Sequence, residues 1–504
     1  MLDALLLSIA QTVGLACGAC LIYQLGIIVY RLFFHPLARF SGPKLYAASN
    51  LPYLIKDKIQ GSFVKDALHL HEKYGPIVRI APGQLAVDGS IGWSDIFAPR
   101  GSRPEFEKTV EFYGLQQRVG IFPAYKDEHR RQRRLMSHAF STMALLEQEE
   151  HVKYYVDLLI KQLKKEAQRV GTVDMCQWYN FMTFDLIGEL AFADPFNSLA
   201  NGNYHPWIAM IFSSIKSNGL LAFLNHFPLL RPLMGLYVGK KELRAMKDSI
   251  QLAAEKTERR VERGVEEARK DFMTYIMRNN KDGQGMSHEE ILVNSRALIV
   301  AGSETTATAL SGLTFYLGMN PSVYQQLAEE IRTSFQREED INIQSSSRLP
   351  YLHACLEEIL RIYPPAAMTP PRVSPGESVG GHFVPKGTTL WVNQWATHHS
   401  SLNFNQPHAF APQRWLSTTH PLHDPQFDTD NKAAFKPFSY GPRDCIGKNL
   451  AYAEMHLVIA RLLWNFDFEL EPGQQDWAAV QRVFVVYEKQ PLIVRLKPIV
   501  NSAE

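Results

Sequence analysis

The first regime of the hydrophobic pattern is an uninterrupted one. Residues 4–30 carry no charged side chain. As a helix they rise about 40 Å, enough to cross a hydrocarbon core of about 30 Å with tilt. A cleaved leader would open on a basic segment and a shorter apolar run, whereas Asp3 precedes this one, so a retained anchor is expected. Arg31, Arg39 and Lys44 follow it, and the positive-inside tendency places the rest of the chain in the cytosol. His35-Pro36-Leu37 and Ser41-Gly42-Pro43 then read as a stiff hinge. The predicted organisation is an anchor with the start of the hinge over 1–33 and one body over 34–504.

The body alternates two periods. Apolar-rich segments at 77–80 and 84–87 flank Ala81-Pro82-Gly83, a hairpin signal. From about 125 to 330 the pattern is mainly helical. Its clearest helix is predicted over 288–319, where Ser287 and Glu290 form a capping box and Asn320-Pro321 ends the run. Pro364-Pro365, Pro370-Pro371, Pro375 and Gly376 mark an irregular stretch. Short strands are expected over 379–392 around a Pro385-Lys386-Gly387 turn, then a turn-rich, ordered meander over 403–431. A last helix over about 448–464 precedes a strand-rich tail. The fold class expected is mainly α with a small β region, preceded by one transmembrane helix.

Composition narrows the function classes. The chain has 504 residues, with 53 Lys+Arg against 51 Asp+Glu and a net charge of +2, so no global field draws it to nucleic acid. Hydrophobic residues at 46% and charged residues at 21% exclude long disorder. Length alone would suggest about three domains, but no linker or repeat supports a split. Five scattered cysteines make no disulfide scaffold, and no Asn-x-Ser/Thr acceptor is present, both pointing to a reducing, cytosol-facing body. Within the anchor, Gly14 with Gly18 and Cys17 with Cys20 read as small or apolar filler. The glycine-lysine run at 441–448 has the wrong spacing and lacks the Ser/Thr of a phosphate loop. His71-Glu72 and His288-Glu289 lack a second zinc-helix histidine, and there is no Gly-x-Ser-x-Gly elbow.

The most informative stretch is Phe438-Ser439-Tyr440-Gly441-Pro442-Arg443-Asp444-Cys445-Ile446-Gly447. One cysteine sits between glycines just before a helix. A helix N-terminus and a neighbouring arginine lower a thiol pKa, and a tight glycine turn offers N–H donors to the sulfur. Such a setting suits a thiolate metal ligand. With its pattern Phe-x-x-Gly-x-Arg-x-Cys-x-Gly, the sequence resembles the cytochrome P-450 family of heme-thiolate monooxygenases. Together with the anchor and the 129–140 stretch, it is nearest in look to membrane-bound members of fungal secondary metabolism. The resemblance runs from about residue 35 to the end and implies the cytochrome P-450 fold. It makes Cys445 the axial ligand of heme b iron, Arg443 a heme propionate partner and Phe438 part of the heme cradle.

Three further constellations fit that resemblance. In Ala301-Gly302-Ser303-Glu304-Thr305-Thr306, Glu304 and Thr305 offer an acid and an alcohol for relaying protons. Gly302 costs about 1 kcal/mol in a helix relative to alanine, which suggests a bulge or groove where a ligand approaches. The resemblance implies that Thr305 stands beside the oxygen site and that Glu304 feeds protons through water. Glu358 and Arg361 share a helix face; with Arg414 they match the family's structural triad, which locks the core and does no chemistry. His129-Arg130-Arg131-Gln132-Arg133-Arg134 is too isolated for a nucleic-acid patch. The family usually has Trp-x-x-x-Arg there, so Arg133 carries over as a propionate partner, while His129 stands in place of tryptophan. The other cations of this run are candidates to face an acidic redox partner. Arg372 is a further propionate candidate.

The family layout places substrate-pocket walls around 100–121, 212–236, Ala301, Ala366, Ala367, Met368 and Val485. The apolar 212–236 segment would also dip into the bilayer. The implied activity is insertion of one oxygen atom from O2 into an apolar small molecule, a step in terpenoid, polyketide or alkaloid biosynthesis. Electrons would come from NADPH through a separate NADPH–cytochrome P-450 reductase, with cytochrome b5 as a further candidate donor, at the endoplasmic reticulum. Two alternatives stay open: a reductase-independent heme-thiolate isomerase, dehydratase or peroxygenase, and a non-catalytic heme sensor or carrier.

Overall fold

The computed structural model describes residues 2–109, 112, 118–205, 219–220, 223–224, 226–227, 240–265, 270–278, 280, 285–484 and 486–499. Among them, helices of ten residues or more are α1 (Leu2–Val29), α2 (Phe63–Tyr74), α3 (Lys126–Ser137), α4 (Glu149–Arg169), α5 (Met175–Phe192), α6 (Lys240–Glu262), α7 (His288–Met319), α8 (Pro321–Ser334), α9 (Pro350–Ile362) and α10 (Lys448–Asn465). The strands are β1 (Ile77–Ala81), β2 (Gln84–Val87), β3 (Glu107–Lys108), β4 (Thr172–Asp174), β5 (Arg372–Val373), β6 (Glu377–Val379), β7 (His382–Val384), β8 (Thr389–Val392), β9 (Phe466–Leu470), β10 (Arg482–Val483), β11 (Tyr487–Glu488) and β12 (Ile493–Pro498).

α1 runs on through a π-helical turn, Tyr30–Phe34. Its apolar stretch Leu5–Phe34 has mean hydropathy 2.0 and no residue of its most apolar window is buried in the protein. An all-round apolar helix with nothing packed on it is a candidate membrane anchor. The hinge behind it is tied to the body: Arg31 donates to the Ala48 carbonyl at 2.8 Å, and Arg79 donates to the Arg31 carbonyl at 2.8 Å.

The largest sheet has the order β1-β2-β8-β5-β3. β1 and β2 form the predicted hairpin, and β8 lies parallel to β2. At its far edge β3 pairs antiparallel with β5, setting Lys108 directly opposite Arg372. A three-stranded sheet, β4-β12-β9, and the hairpins β6–β7 and β10–β11 complete the β region. The 403–431 segment holds only short 3-10 turns, as its turn-rich pattern predicts.

α5 is buried nearly all round; it packs on α7 and α4, and α7 in turn packs on α9 and α10 within one core cluster. α7 has the predicted bounds, and its capping box is formed: the Ser287 hydroxyl accepts from the Glu290 N–H, and Glu290 accepts from the Ser287 N–H. Gly302 serves a different end from the one expected. The helix is uninterrupted there, and a Cβ would lie 2.7 Å from Ile187 Cδ1 of α5. The missing side chain is a packing device between two buried helices.

Glu454 of α10 is buried and hydrogen-bonded to Thr306 of α7, and burial pushes its carboxyl up to about 8. The proton-bearing form is the one the core accepts. Its stabilisation is present in full below the ordinary 4.5 and is lost as pH rises through the folded value, at up to about 1.4 kcal/mol per pH unit. Glu454→Gln keeps the shape without the titration. Thermal melting of the full chain at about pH 5 and about pH 8 is expected to show a smaller alkaline loss in the variant than in the parent.

Candidate active site

The Cys445 loop is built by a carbonyl–amide clamp and two left-handed residues. The Cys445 N–H donates to the Phe438 carbonyl at 2.8 Å. Ser439 and Gly441 have φ of 63° and 79°. At Gly441 a Cβ would lie 2.0 Å from the Phe97 carbonyl oxygen, so only glycine fits this turn. α10 begins three residues after the cysteine, with Gly447 as its N-cap. The Cys445 side chain is accessible although protein surrounds it closely enough for burial to be the main influence on its thiol. It therefore borders an internal void. Burial pushes the thiol up, against the Gly447 N–H and Arg133, which pull it down. The sequence expectation of a lowered thiol is thus not met by the protein alone, because burial outweighs the Gly447 N–H and Arg133; a coordinated metal cation deprotonates such a thiol outright.

Cations from three elements converge beside this loop. Arg133 of α3 is bonded to Asp444, with Nη2 2.5 Å from Oδ1. Arg443 donates to the Ala124 carbonyl at 2.9 Å and lies 3.3 Å from Glu105 and 3.8 Å from Glu107. Arg372 on β5 is buried with its guanidinium over Phe97. His129 of α3 is buried too; burial, then Arg443, Lys108, Arg133 and Arg372, push it down to about 3, so it is a neutral imidazole. Lys108, which the sequence reading did not single out, completes the group. Burial drives its ammonium well below its usual range, with Arg372, Arg443 and Arg133 adding to the effect and Glu107 opposing it. Like charges directly opposite on paired strands are destabilising, so the Lys108–Arg372 pair fits a site that takes an anion. Arg118 Nη1 is a further buried donor without a hydrogen-bond partner among the described residues.

This donor set fits a flat group bearing carboxylates and an iron to be bound by sulfur, so heme fits the residues present. Phe438 lies half-buried on Tyr452, centroids 5.1 Å apart, on the side of the loop facing α10. Of the remaining cations in the 129–134 run, Arg130 and Arg134 are exposed. Arg131 turns inward to Glu290 instead.

On α7, Thr305 is half-buried within a run, 303–315, that is otherwise buried, and Ala301 one turn earlier is half-buried as well. The Thr305 hydroxyl donates to the Ala301 carbonyl at 2.6 Å. Thr306 touches Glu454, which lies about two turns, roughly 10 Å, along α10 from Gly447. Glu304 faces elsewhere. It is buried in an ion pair with Lys489 and accepts from the Thr308 hydroxyl at 3.2 Å, with no hydrogen bond to Thr305 among the described residues.

Glu358, Arg361 and Arg414 are assembled as expected, all fully buried. Arg361 Nε and Nη2 lie 2.9 and 2.7 Å from Glu358, and Arg414 Nε lies 3.0 Å from it. The pocket candidates divide. Ala366 and Met368 are half-buried, while Ala367 between them is fully buried in the core. Val485, most of 212–236 and part of 100–121 lie outside the described residues. Two surface clefts of about 660 and 610 Å³ are lined by the C-terminal end of α7 with β9 and with the Trp395–His399 region; neither Cys445 nor Thr305 lines them.

A mainly helical fold with a small β region, a cysteine presented at a helix start and a cation cluster for carboxylates define a heme-thiolate protein. The chain belongs to the cytochrome P-450 family, whose model matches residues 42–495. It is similar to the cytochrome P-450 monooxygenase aclL of Aspergillus oryzae, with 42% identity over 487 residues covering 95% of this chain and 96% of the relative. The averantin hydroxylase of Dothistroma septosporum is 39% identical over 490 residues, 95% and 90% of the two chains. The trichothecene C-15 hydroxylase of Fusarium sporotrichioides is 39% identical over 501 residues, 97% and 99%. The chain is an oxidoreductase, a heme monooxygenase similar to those of fungal secondary metabolism.

Proposed function

We propose that this chain inserts one oxygen atom from O2 into an apolar small-molecule intermediate of a secondary-metabolite pathway, a terpenoid, polyketide or alkaloid. Its electrons come from NADPH through a separate reductase, with cytochrome b5 as a further donor. It works at the endoplasmic reticulum membrane, held by α1, with residues 34–504 as one catalytic domain in the cytosol. The observation that carries the reading is the Cys445 loop, open to an internal void beside a buried cation cluster. Cys445 is the iron ligand; Arg133, Arg372 and Arg443 take the heme carboxylates, with Lys108 added to them, and neutral His129 donates or accepts within the same cluster. Phe438 packs at the sulfur side. Bound heme supplies the oxidising chemistry, favoured by an electron-rich thiolate.

The protein's own part is to place substrate and protons. Ala301, Ala366 and Met368 line the apolar side of the void. Thr305 holds its hydroxyl proton at the half-open face of α7, and Glu304 renews it from the core side. The spectrum of the reduced membrane fraction with CO, followed by NADPH-dependent turnover with added reductase, tests the whole. A thiolate-type Soret band and reductase-dependent product are expected. Turnover without reductase would favour an isomerase, dehydratase or peroxygenase instead, and a band without any turnover would favour a heme carrier. Thr305→Ala removes the hydroxyl but no packing partner in the core. It is expected to keep the Soret band while product per NADPH consumed falls about tenfold, less than the roughly 100- to 10,000-fold that loss of a general acid itself costs, the balance appearing as peroxide.

A further inference from the structure

Most of α7 is buried, but one face of its first half is not. Val293, Arg296, Ala297, Val300 and Ala301 follow the spacing i, i+3, i+4, i+7, i+8, which sets them on one side of a helix. All five are half-buried or exposed, with Val293 at 41% and Val300 at 38%, whereas Asn294, Ser295, Leu298 and Ile299 between them are buried. Protein surrounds this face. α5 and α6 both pack on α7. Gly120 closes on Val293, where a Cβ would lie 2.7 Å from Val293 Cγ1, and the Ile121 N–H donates to Asn294 Oδ1 at 2.8 Å. Accessible side chains on a helix so enclosed border an internal space. The face ends at Ala301, whose carbonyl accepts the Thr305 hydroxyl one turn further on.

Arg296 is the charged residue of the five. It is accessible from that space, yet protein lies close enough for burial to hold its guanidinium below the usual arginine range, and no neighbouring charge contributes. The residues three and four positions away on either side are Leu292, Val293, Ile299 and Val300, so its own helix offers no carboxylate. Among the described residues no ion pair reaches it. Buried cations elsewhere are answered: Arg260 by Asp271, Arg361 by Glu358, and Arg414 by Glu358 and Asp430. A charge set among protein without a counter-charge is costly, and this one stands in an otherwise apolar wall.

We infer that Arg296 binds an anionic head, a carboxylate, on the substrate, and so sets both the substrate class and the end that is oxidised. A guanidinium meets a carboxylate with two parallel N–H donors. Nine residues separate Arg296 from Thr305, a rise of about 13 Å along the helix. The substrate is then an apolar body of roughly that length, held by its carboxylate at one end and oxidised near the other, with Val293, Ala297 and Val300 against its side. The inference deepens the proposed monooxygenase function and rests on it.

The test uses the full-chain holoenzyme in lipid discs, as parent, R296M and R296K. The probes are saturated carboxylic acids of about ten to fourteen carbons, chosen to span about 13 Å, and their methyl esters. Affinity is read from the change in heme absorption as each probe enters, so no turnover is needed. Each probe is compared between proteins, which cancels its partition into lipid. The parent is expected to bind the best acid at least about tenfold tighter than its ester, the scale of a charge-assisted hydrogen bond. R296M is expected to lose that margin through weaker acid binding, with ester binding unchanged. R296K is expected to keep part of it, since an ammonium carries the charge without the fork. Equal affinity of acid and ester in the parent, or an acid margin that survives in R296M, overturns the inference. A second measurement needs no probe and decides if none enters. Removing an unanswered charge relieves the free protein, so ligand-free R296M is expected to melt a few degrees above the parent. R296M melting at or below the parent shows that the protein itself uses the charge, and overturns the inference. If the parent lacks the thiolate-type band with CO, the proposed function fails and the inference with it. If the band is present and the acid margin is absent, the Arg296 assignment alone fails.

Discussion

Replacing Cys445 with serine is expected to abolish the thiolate-type Soret band of the reduced, CO-bound protein while leaving a folded chain in the membrane. The side chain is accessible rather than packed, so its loss removes little burial. The loop is held by backbone, through the Cys445 N–H to the Phe438 carbonyl and the left-handed turn at Gly441, neither of which needs sulfur. A hydroxyl cannot replace a thiolate as a soft, electron-donating ligand. Turnover is expected to fall by more than the roughly 100-fold that loss of an outer partner of a metal ligand costs. Absorption spectra of matched membrane fractions, with total protein measured by immunoblot, check both halves. A serine variant that keeps the thiolate-type band would remove Cys445 from the ligand position.

The parts of this site that are legible from sequence are those whose signal is local. The capping box at Ser287 and Glu290 and the stop at Asn320-Pro321 bound α7 correctly because the groups that satisfy a helix end lie within four residues of it. The cysteine loop is legible because its turn, its N-cap and its cysteine are contiguous. What escapes is set by pairing across the chain. Lys108 has no motif around it; it matters because β3 falls opposite β5 and puts it beside Arg372. Lys489 and Glu304 meet across 185 residues, and no periodicity carries that contact. Gly302 suggests an opening toward a ligand when its neighbour across the core is not seen, whereas Ile187 fills that space. Ala367 differs from Ala366 and Met368 by the way a bent segment is held, through the bonds from Trp395 N–H to the Ala367 carbonyl and from Thr369 N–H to the Val392 carbonyl.

Glu358→Gln is expected to prevent accumulation of heme-loaded protein altogether, although Glu358 touches no part of the void. The two carboxylate oxygens hold Arg361, Arg414, the Ala411 N–H and Trp415 Nε1 at 2.7–3.0 Å, and the side chains of Glu358, Arg361 and Arg414 are 0% exposed. Arg414 also reaches Asp430, and Arg361 donates to the carbonyls of His398, Pro407 and Ala409. One helix, α9, is thereby tied to the whole 398–430 meander, which has few backbone ladders of its own and runs on into the cysteine loop. An amide keeps the shape but turns an N–H2 toward two guanidinium groups, leaving Arg361 buried without its counter-charge and Arg414 with Asp430 alone. Breaking a buried pair from one side costs about 3–5 kcal/mol, a large share of the 5–15 kcal/mol that typically holds a domain folded. The meander then detaches from α9 and the loop that presents Cys445 loses its anchor. The contrast with Thr305→Ala is the check. Both residues lie off the iron ligand, yet the threonine variant should accumulate to parental levels with its Soret band intact. The Glu358 variant should show little thiolate-ligated heme and a melting temperature lower by several degrees in whatever folded fraction remains. Equal heme content in the two variants would show that the meander is held without this network.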